Sequence, residues 1–196
     1  MQPDVRPLTP ADHTLIGGII ADAFADDPMN LWTFRNVKAL KPTFTGLARD
    51  LYLKDGFGHV TADGSAGALW LPPGVGKDLS LLSTLSLAYP ILRYGGPRAV
   101  LRSLAIDAFM TKNHPAEPHY YLFAIGVRPG KQGKGLGGLV MRQALKAIDA
   151  AHMPAYLENS KRDNLGFYQN HGFELMEEVT PVKGSPPLWR MWRKAR

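Results

Sequence analysis

The chain has 196 residues, 45% of them hydrophobic, which is enough to bury one sizeable core. With a net charge of +6 and no cysteine, it excludes disulfides, thiolate metal sites and a cysteine nucleophile. No apolar run reaches the ~20 residues that span a bilayer, and Met1-Gln2-Pro3-Asp4 lacks a signal peptide's basic and then apolar regions, so a soluble cytoplasmic protein without a membrane partner is expected.

In chain order, Val5 to Leu8 reads as a short strand and Thr9-Pro10-Ala11-Asp12 as a helix start. Ile16, Ile19, Ile20, Ala23 and Phe24 then give that helix a buried face, and Pro28 stops it. A loop rich in aromatics (Trp32, Phe34) precedes a helix from about Pro42 to Leu53. Gly58 to Thr61 and Ser65 to Leu71 form a hairpin around Asp63-Gly64. From Asp78 to about Lys112 the pattern predicts two helices, broken at Tyr94-Gly95-Gly96-Pro97 and inserted between strands. A central strand follows from His119 to Val127, and then an amphipathic helix from about Gly135 to His152. Ala155 to Asn159 is the next strand, and Asp163 or Asn164 caps a short helix that ends at His171-Gly172. Phe173 to Val179 and Leu188 to Arg193 are the last two strands. There is no internal repeat or long linker, so one domain over 1–196 is expected, with a helical insertion at about 77–113 on the acceptor side.

The chemistry concentrates in Val127-Arg128-Pro129-Gly130-Lys131-Gln132-Gly133-Lys134-Gly135-Leu136-Gly137-Gly138. A glycine-rich turn between a strand and a helix aims unpaired backbone N–H groups at one point, where the helix dipole and Lys131 and Lys134 add positive charge. It is suited to a phosphate or pyrophosphate. The remaining basic residues are scattered except in the Arg190–Arg196 tail, so no nucleic-acid partner is expected. Gly133, Gly135 and Gly138 satisfy G-x-G-x-x-G, and Glu158 lies twenty residues beyond, so a dinucleotide-binding oxidoreductase is the alternative reading. Against it, the turn comes after two-thirds of the chain, with room for only one further crossover. A P-loop is a poor match because Gly133-Lys134 is followed by glycine.

Val127-Arg128-Pro129 with Gln132-Gly133-Lys134-Gly135-Leu136-Gly137 resembles the acetyl-CoA-binding motif of the GNAT (GCN5-related) N-acetyltransferases. Asn164-Leu165-Gly166-Phe167-Tyr168-Gln169-Asn170-His171-Gly172-Phe173 is similar to the family's segment after its fifth strand. Ala23–Pro28, Leu157-Glu158-Asn159-Ser160 and Trp189–Lys194 look like the subgroup of puromycin N-acetyltransferase-like proteins. The resemblance implies an α/β (α+β) GNAT fold: one mixed, mostly antiparallel sheet splayed at the cofactor groove, with helices on both faces and a helical insertion before the central strand. It also implies acetyl-CoA as cofactor and a small-molecule amine as acceptor, with direct transfer in a ternary complex. A protein or peptide N-terminus is the alternative acceptor, and the chain is expected to be a monomer or homodimer.

Within that reading, backbone N–H groups of Gln132, Gly133, Lys134, Gly135, Leu136, Gly137 and Gly138 hold the pyrophosphate, with Asn164 nearby. The resemblance implies that Ile125 to Val127 pairs with the pantetheine arm and that the Val127 N–H polarises the thioester carbonyl, so the sheet should splay beside the central strand. Tyr168 is the candidate general acid, since a phenol stays protonated at neutral pH. Glu158 is the candidate base, with Asp26, Asp27 and His119 as alternatives. Trp32, Phe34 and Tyr52, with Asp27, are candidates for the acceptor pocket. The six histidines show no metal spacing, and no metal is expected.

Overall fold

The computed structural model describes residues 3–76 and 79–196. Lys77 and Asp78, where the insertion is expected to begin, lie outside the described residues. Strand β1 (Val5–Pro7) leads through a 3-10 turn into α1 (His13–Ala23). That turn is fixed by Asp12, which accepts from the Thr9 N–H and hydroxyl and pairs with Arg6 at 2.8 Å. Helices α2 (Pro28–Phe34) and α3 (Leu40–Leu47) follow, α3 running on into a π turn over Ala48–Tyr52. The aromatic stretch expected as a loop is therefore helical. α1 ends at Ala23, ahead of Pro28, which opens α2 because proline fits the first helical position, and Asp27 caps α2 by accepting from the Asn30 N–H at 2.9 Å.

Strands β2 (Phe57–Thr61) and β3 (Ala66–Leu71) form the expected hairpin; α4 (Leu81–Gly95) and α5 (Pro97–Asn113) are the two inserted helices. Then come β4 (Tyr120–Val127), α6 (Leu136–Ala150), β5 (Ala155–Asn159), α7 (Leu165–Gln169), β6 (Glu174–Val179) and β7 (Leu188–Arg193). The seven strands make one sheet in the order β1-β2-β3-β4-β5-β7-β6. Neighbours pair antiparallel except β4 and β5. The mixed, mostly antiparallel sheet of the expected fold is thus present.

Side-chain alternation sends the sheet's two faces into two cores. One joins Ile16, Ile19 and Ile20 of α1 with Phe44, Tyr52, Tyr121 and Tyr156. The other packs Leu136, Val140, Ala144 and Ile148 of α6 against Trp70, Leu122, Leu157 and Tyr168. Among the described residues, no helix is long and apolar enough to cross a membrane.

Candidate active site

β4 and β5 are paired only at Tyr120, Tyr121 and Leu122, opposite Ala155, Tyr156 and Leu157. Beyond Leu122 the two strands part, and the sheet opens. A register shift opposite Leu69/Trp70 makes Phe123 an extra residue in β4 at the point of parting, and such a bulge bends and twists its strand. The splay expected beside the central strand is present.

The direction of the free edge follows from the ladder. Arg128 N–H donates to Ser65 carbonyl at 2.8 Å, so the register sends the polar groups of Gly126 and Ala124 toward β3. Those of Val127 and Ile125 point the other way, into the gap. The Gln132 amide donates to the Val127 carbonyl at 3.4 Å, tying the turn to the strand end.

The turn is shaped by glycine. Gly130, Gly133 and Gly135 all take φ of +75 to +77°, which side-chain-bearing residues rarely adopt. Gly135 is the N-cap of α6, and no side chain caps the first N–H groups there. A Cβ on Gly133 would meet no atom within 4 Å, so the backbone lies open to a ligand. Lys131 and Lys134 are exposed. This cradle fits a pyrophosphate on an observation of the fold itself: unpaired N–H groups at a helix start beside open space. A Cβ on Gly137 would lie 3.5 Å from both the Phe167 ring and Val127 Cγ2, so α6 starts in close contact with the end of β4 and with α7.

Tyr168 lies on α7 with its ring edge-on to Phe167 and Phe173, 8% exposed. Burial, and then the negative charge of Asp27, push its phenol well above its ordinary pKa. Asn164 occupies the N-cap of α7 but makes no side-chain cap bond, contrary to the expected cap.

Glu158 extends from β5 to the face opposite α6, the face of Tyr156. Its negative charge helps to raise the phenol pKa values of Tyr52, Tyr121 and Tyr156, for all of which burial is the larger cause. The Tyr156 hydroxyl accepts from Arg190 Nε at 2.8 Å. Phe109, Met110 and Asn113 of α5 wall a narrow cleft with Tyr156, Glu158 and Arg190. On the same side, His114 and His119 face each other through their Nε2 atoms at 3.0 Å.

The remaining candidates divide. Asp27 has no exposed surface; it caps α2 and accepts from Ser160 Oγ, so as it stands it cannot touch an acceptor. Burial raises its pKa against the effect of those bonds. Asp26 pairs with Lys161 at 2.5 Å, which lowers its pKa. Trp32 packs under the Arg102 guanidinium at 4.1 Å and joins the cluster of Met110, Val179 and Leu188 that also lines the cleft at Glu158, whereas Phe34 packs on the core that holds Leu40 and Phe44. The sequence reading missed Ser160 and Asn159, whose amide holds the turn after β5 by donating to the Lys161 carbonyl at 2.6 Å. The adjacent Asp26-Asp27 pair before Pro28 was the available signal.

Residues 102–175 match the family model described as acetyltransferase (GNAT) domain. That match covers less than half of the chain but includes the glycine turn and Tyr168, and it supports an enzyme, an acetyl-CoA-dependent N-acetyltransferase. The fold is shared along the full length with a Corynebacterium glutamicum protein described as histone acetyltransferase HPA2 and related acetyltransferase. That pair is 22% identical, with a TM-score of 0.74 over 100% of this chain and 98% of the other. An N-acetyltransferase from Staphylococcus aureus Mu50 is 15% identical, with a TM-score of 0.62 over 96% and 99%. Mosquito arylalkylamine N-acetyltransferase like 5b is 10% identical, with a TM-score of 0.59 over 97% and 99%. The dinucleotide reading of Gly133, Gly135 and Gly138 fails on topology. The GNAT domain's turn follows the fourth strand of a mostly antiparallel sheet, not the first strand of a parallel series.

Proposed function

We propose that this acetyltransferase, one domain over its whole length, acetylates the primary amine of a small molecule with an apolar or aromatic body by direct transfer in a ternary complex. The observation that carries the reading is the gap between β4 and β5, into which the Val127 N–H points beside the open glycine turn. Acetyl-CoA supplies the activated acetyl group as a thioester. Main-chain N–H groups from Gln132 through Gly138 hold its pyrophosphate, and Ile125 and Val127 offer strand-like partners to its arm. A preorganised N–H donor such as that of Val127 is worth ~2.7–4 kcal/mol where negative charge develops on an acyl oxygen. Tyr168 delivers a proton to the departing sulfur; its raised pKa keeps that proton in place across the physiological range. Glu158 takes the amine's proton.

The small acceptor is favoured by α5, which walls the cleft at Glu158 with Phe109, Met110 and Asn113 where a peptide would need an open groove. Apolar Val179 and Leu188 line the same narrow cleft. The resemblance to puromycin N-acetyltransferase-like proteins places aminonucleosides first in a panel of amines. The test is free-thiol release from acetyl-CoA against that panel, with arylalkylamines, polyamines and N-terminal peptides included. Turnover of apolar small amines is the expected result; turnover of peptides alone would overturn the acceptor assignment. In parallel, acetyl-CoA should raise the melting temperature, as any ligand of the native state does.

A further inference from the structure

Helices α4 and α5 form a hairpin joined at Gly95-Gly96, where Gly96 takes a φ of +77°. Their inner sides are buried through Leu87, Pro90 and Ile91 on α4 and Ala99 and Ile106 on α5. Their outer sides are apolar as well. Leu81, Leu82, Leu85, Tyr89 and Leu92 fall within about 100° of arc on α4, at 100° per residue, and Leu101 and Leu104 share the outer stripe of α5 with Pro97 and Ala108. The six leucines and Tyr89 are each 52–80% exposed. A helix face turned to water ordinarily carries charged and polar residues.

From those exposures the open apolar area is on the order of 800 Å2, larger than the ~300–600 Å2 patch of a typical monomer and equal to the ~800 Å2 each partner contributes to a stable interface. We propose that this outer face of the α4–α5 hairpin is the contact of a two-fold dimer of the chain. Leu81, Leu85 and Tyr89 form a ridge of four-residue spacing, and the same ridge on a second copy packs into the grooves beside it. Two hairpins meeting this way make a four-helix arrangement with closed symmetry, the commonest form of soluble oligomer. A membrane-bound helix would ring its apolar face with Lys and Arg, whereas Leu79 to Leu92 contains no charged residue and the exposed Arg93 and Arg98 stand at the hairpin tip. The contact also reaches the active site. α5 presents Leu101 and Leu104 to the second copy and Phe109, Met110 and Asn113 to the cleft beside Glu158, so the dimer braces the cleft wall.

Sedimentation velocity on the full chain at micromolar concentration tests the proposal. The expected result is twice the mass of one chain, with association weakened roughly 100-fold or more in Leu85→Lys/Leu101→Lys. Both positions are exposed, so unchanged circular dichroism and an unchanged thermal shift with acetyl-CoA accompany the monomer. The absence of native cysteine gives an independent readout: Leu104→Cys should join two chains through a short bismaleimide. A single-chain mass at every concentration overturns the proposal, as does a dimer that neither dissociates with the lysines nor cross-links at residue 104. Wild-type monomers that sediment with anionic vesicles would assign the face to a membrane instead, and also overturn it.

Discussion

Ser160 Oγ donates a hydrogen bond to the buried carboxylate of Asp27, joining positions 133 residues apart. Asp27 also caps α2, and the neighbouring Asp26 is paired with Lys161. The start of α2 is thereby fastened to the turn that leaves β5, at the end of the strand that carries Glu158. The charge of Asp27 reaches Tyr168 and helps to keep its phenol protonated. One buried carboxylate thus links the start of α2 and the turn after β5 to the Tyr168 phenol.

Asp27 should make its presence felt in the pH dependence of stability. Burial raises its folded pKa above the unfolded value of about 3.9. The folded state therefore binds the proton more tightly, and the contribution of this group to stability falls as pH rises through that interval. Asp27→Asn, which keeps a capping acceptor, should flatten that part of the profile, read as urea midpoints at pH 4 and pH 7. Asp27→Ala loses both the cap and the acceptor for Ser160 and should cost about 1–3 kcal/mol.

Tyr168→Phe removes the hydroxyl proposed as proton donor and leaves the ring contacts with Phe167 and Phe173 intact. A fall in kcat of about 10²–10⁴-fold is expected, with affinity for acetyl-CoA and melting temperature nearly unchanged. Full turnover in this variant would reassign Tyr168 to packing.

Gly130 and Gly133 have nearly the same backbone conformation and equally open surroundings. Alanine at either should cost about 1–2 kcal/mol of stability through left-handed strain. Only Gly133→Ala places a methyl in the span assigned to the pyrophosphate. Calorimetry should find acetyl-CoA binding weakened at residue 133 and preserved at residue 130. Equal affinities would move the pyrophosphate elsewhere.

Glu158→Gln tests the base. If this carboxylate accepts the ammonium proton, the variant relies on amine already neutral in solution. Its kcat/KM should then fall about 10²-fold or more near neutrality and climb with pH toward the amine's own pKa. A profile parallel to that of the wild type would leave Glu158 with only the ordering of Tyr121 and Tyr156.

Much of this architecture was legible because it is local. The order of helices and strands, the hairpin at Asp63-Gly64, the two inserted helices and the turn from Gln132 to Gly138 follow from periodicity, proline and glycine. Each reports on hydrogen bonds made within a few residues. The aromatic stretch at Trp32 and Phe34 was misread for a local reason too, because a proline in sequence reads equally as a helix stop and a helix start, and Pro28 is the start.

The chain by itself determined a glycine turn between a strand and an amphipathic helix, the cradle proposed for the pyrophosphate. Only the tertiary structure decided that β4 parts from β5 after Leu122, that Val127 faces the opening, and that Glu158 and α6 lie on opposite faces of the sheet. The same holds for the burial of Asp27 against Ser160 and for the leucines left uncovered on α4 and α5. The reason is physical: strand pairing and burial are set by partners tens to more than a hundred residues away, so no short window of sequence contains them.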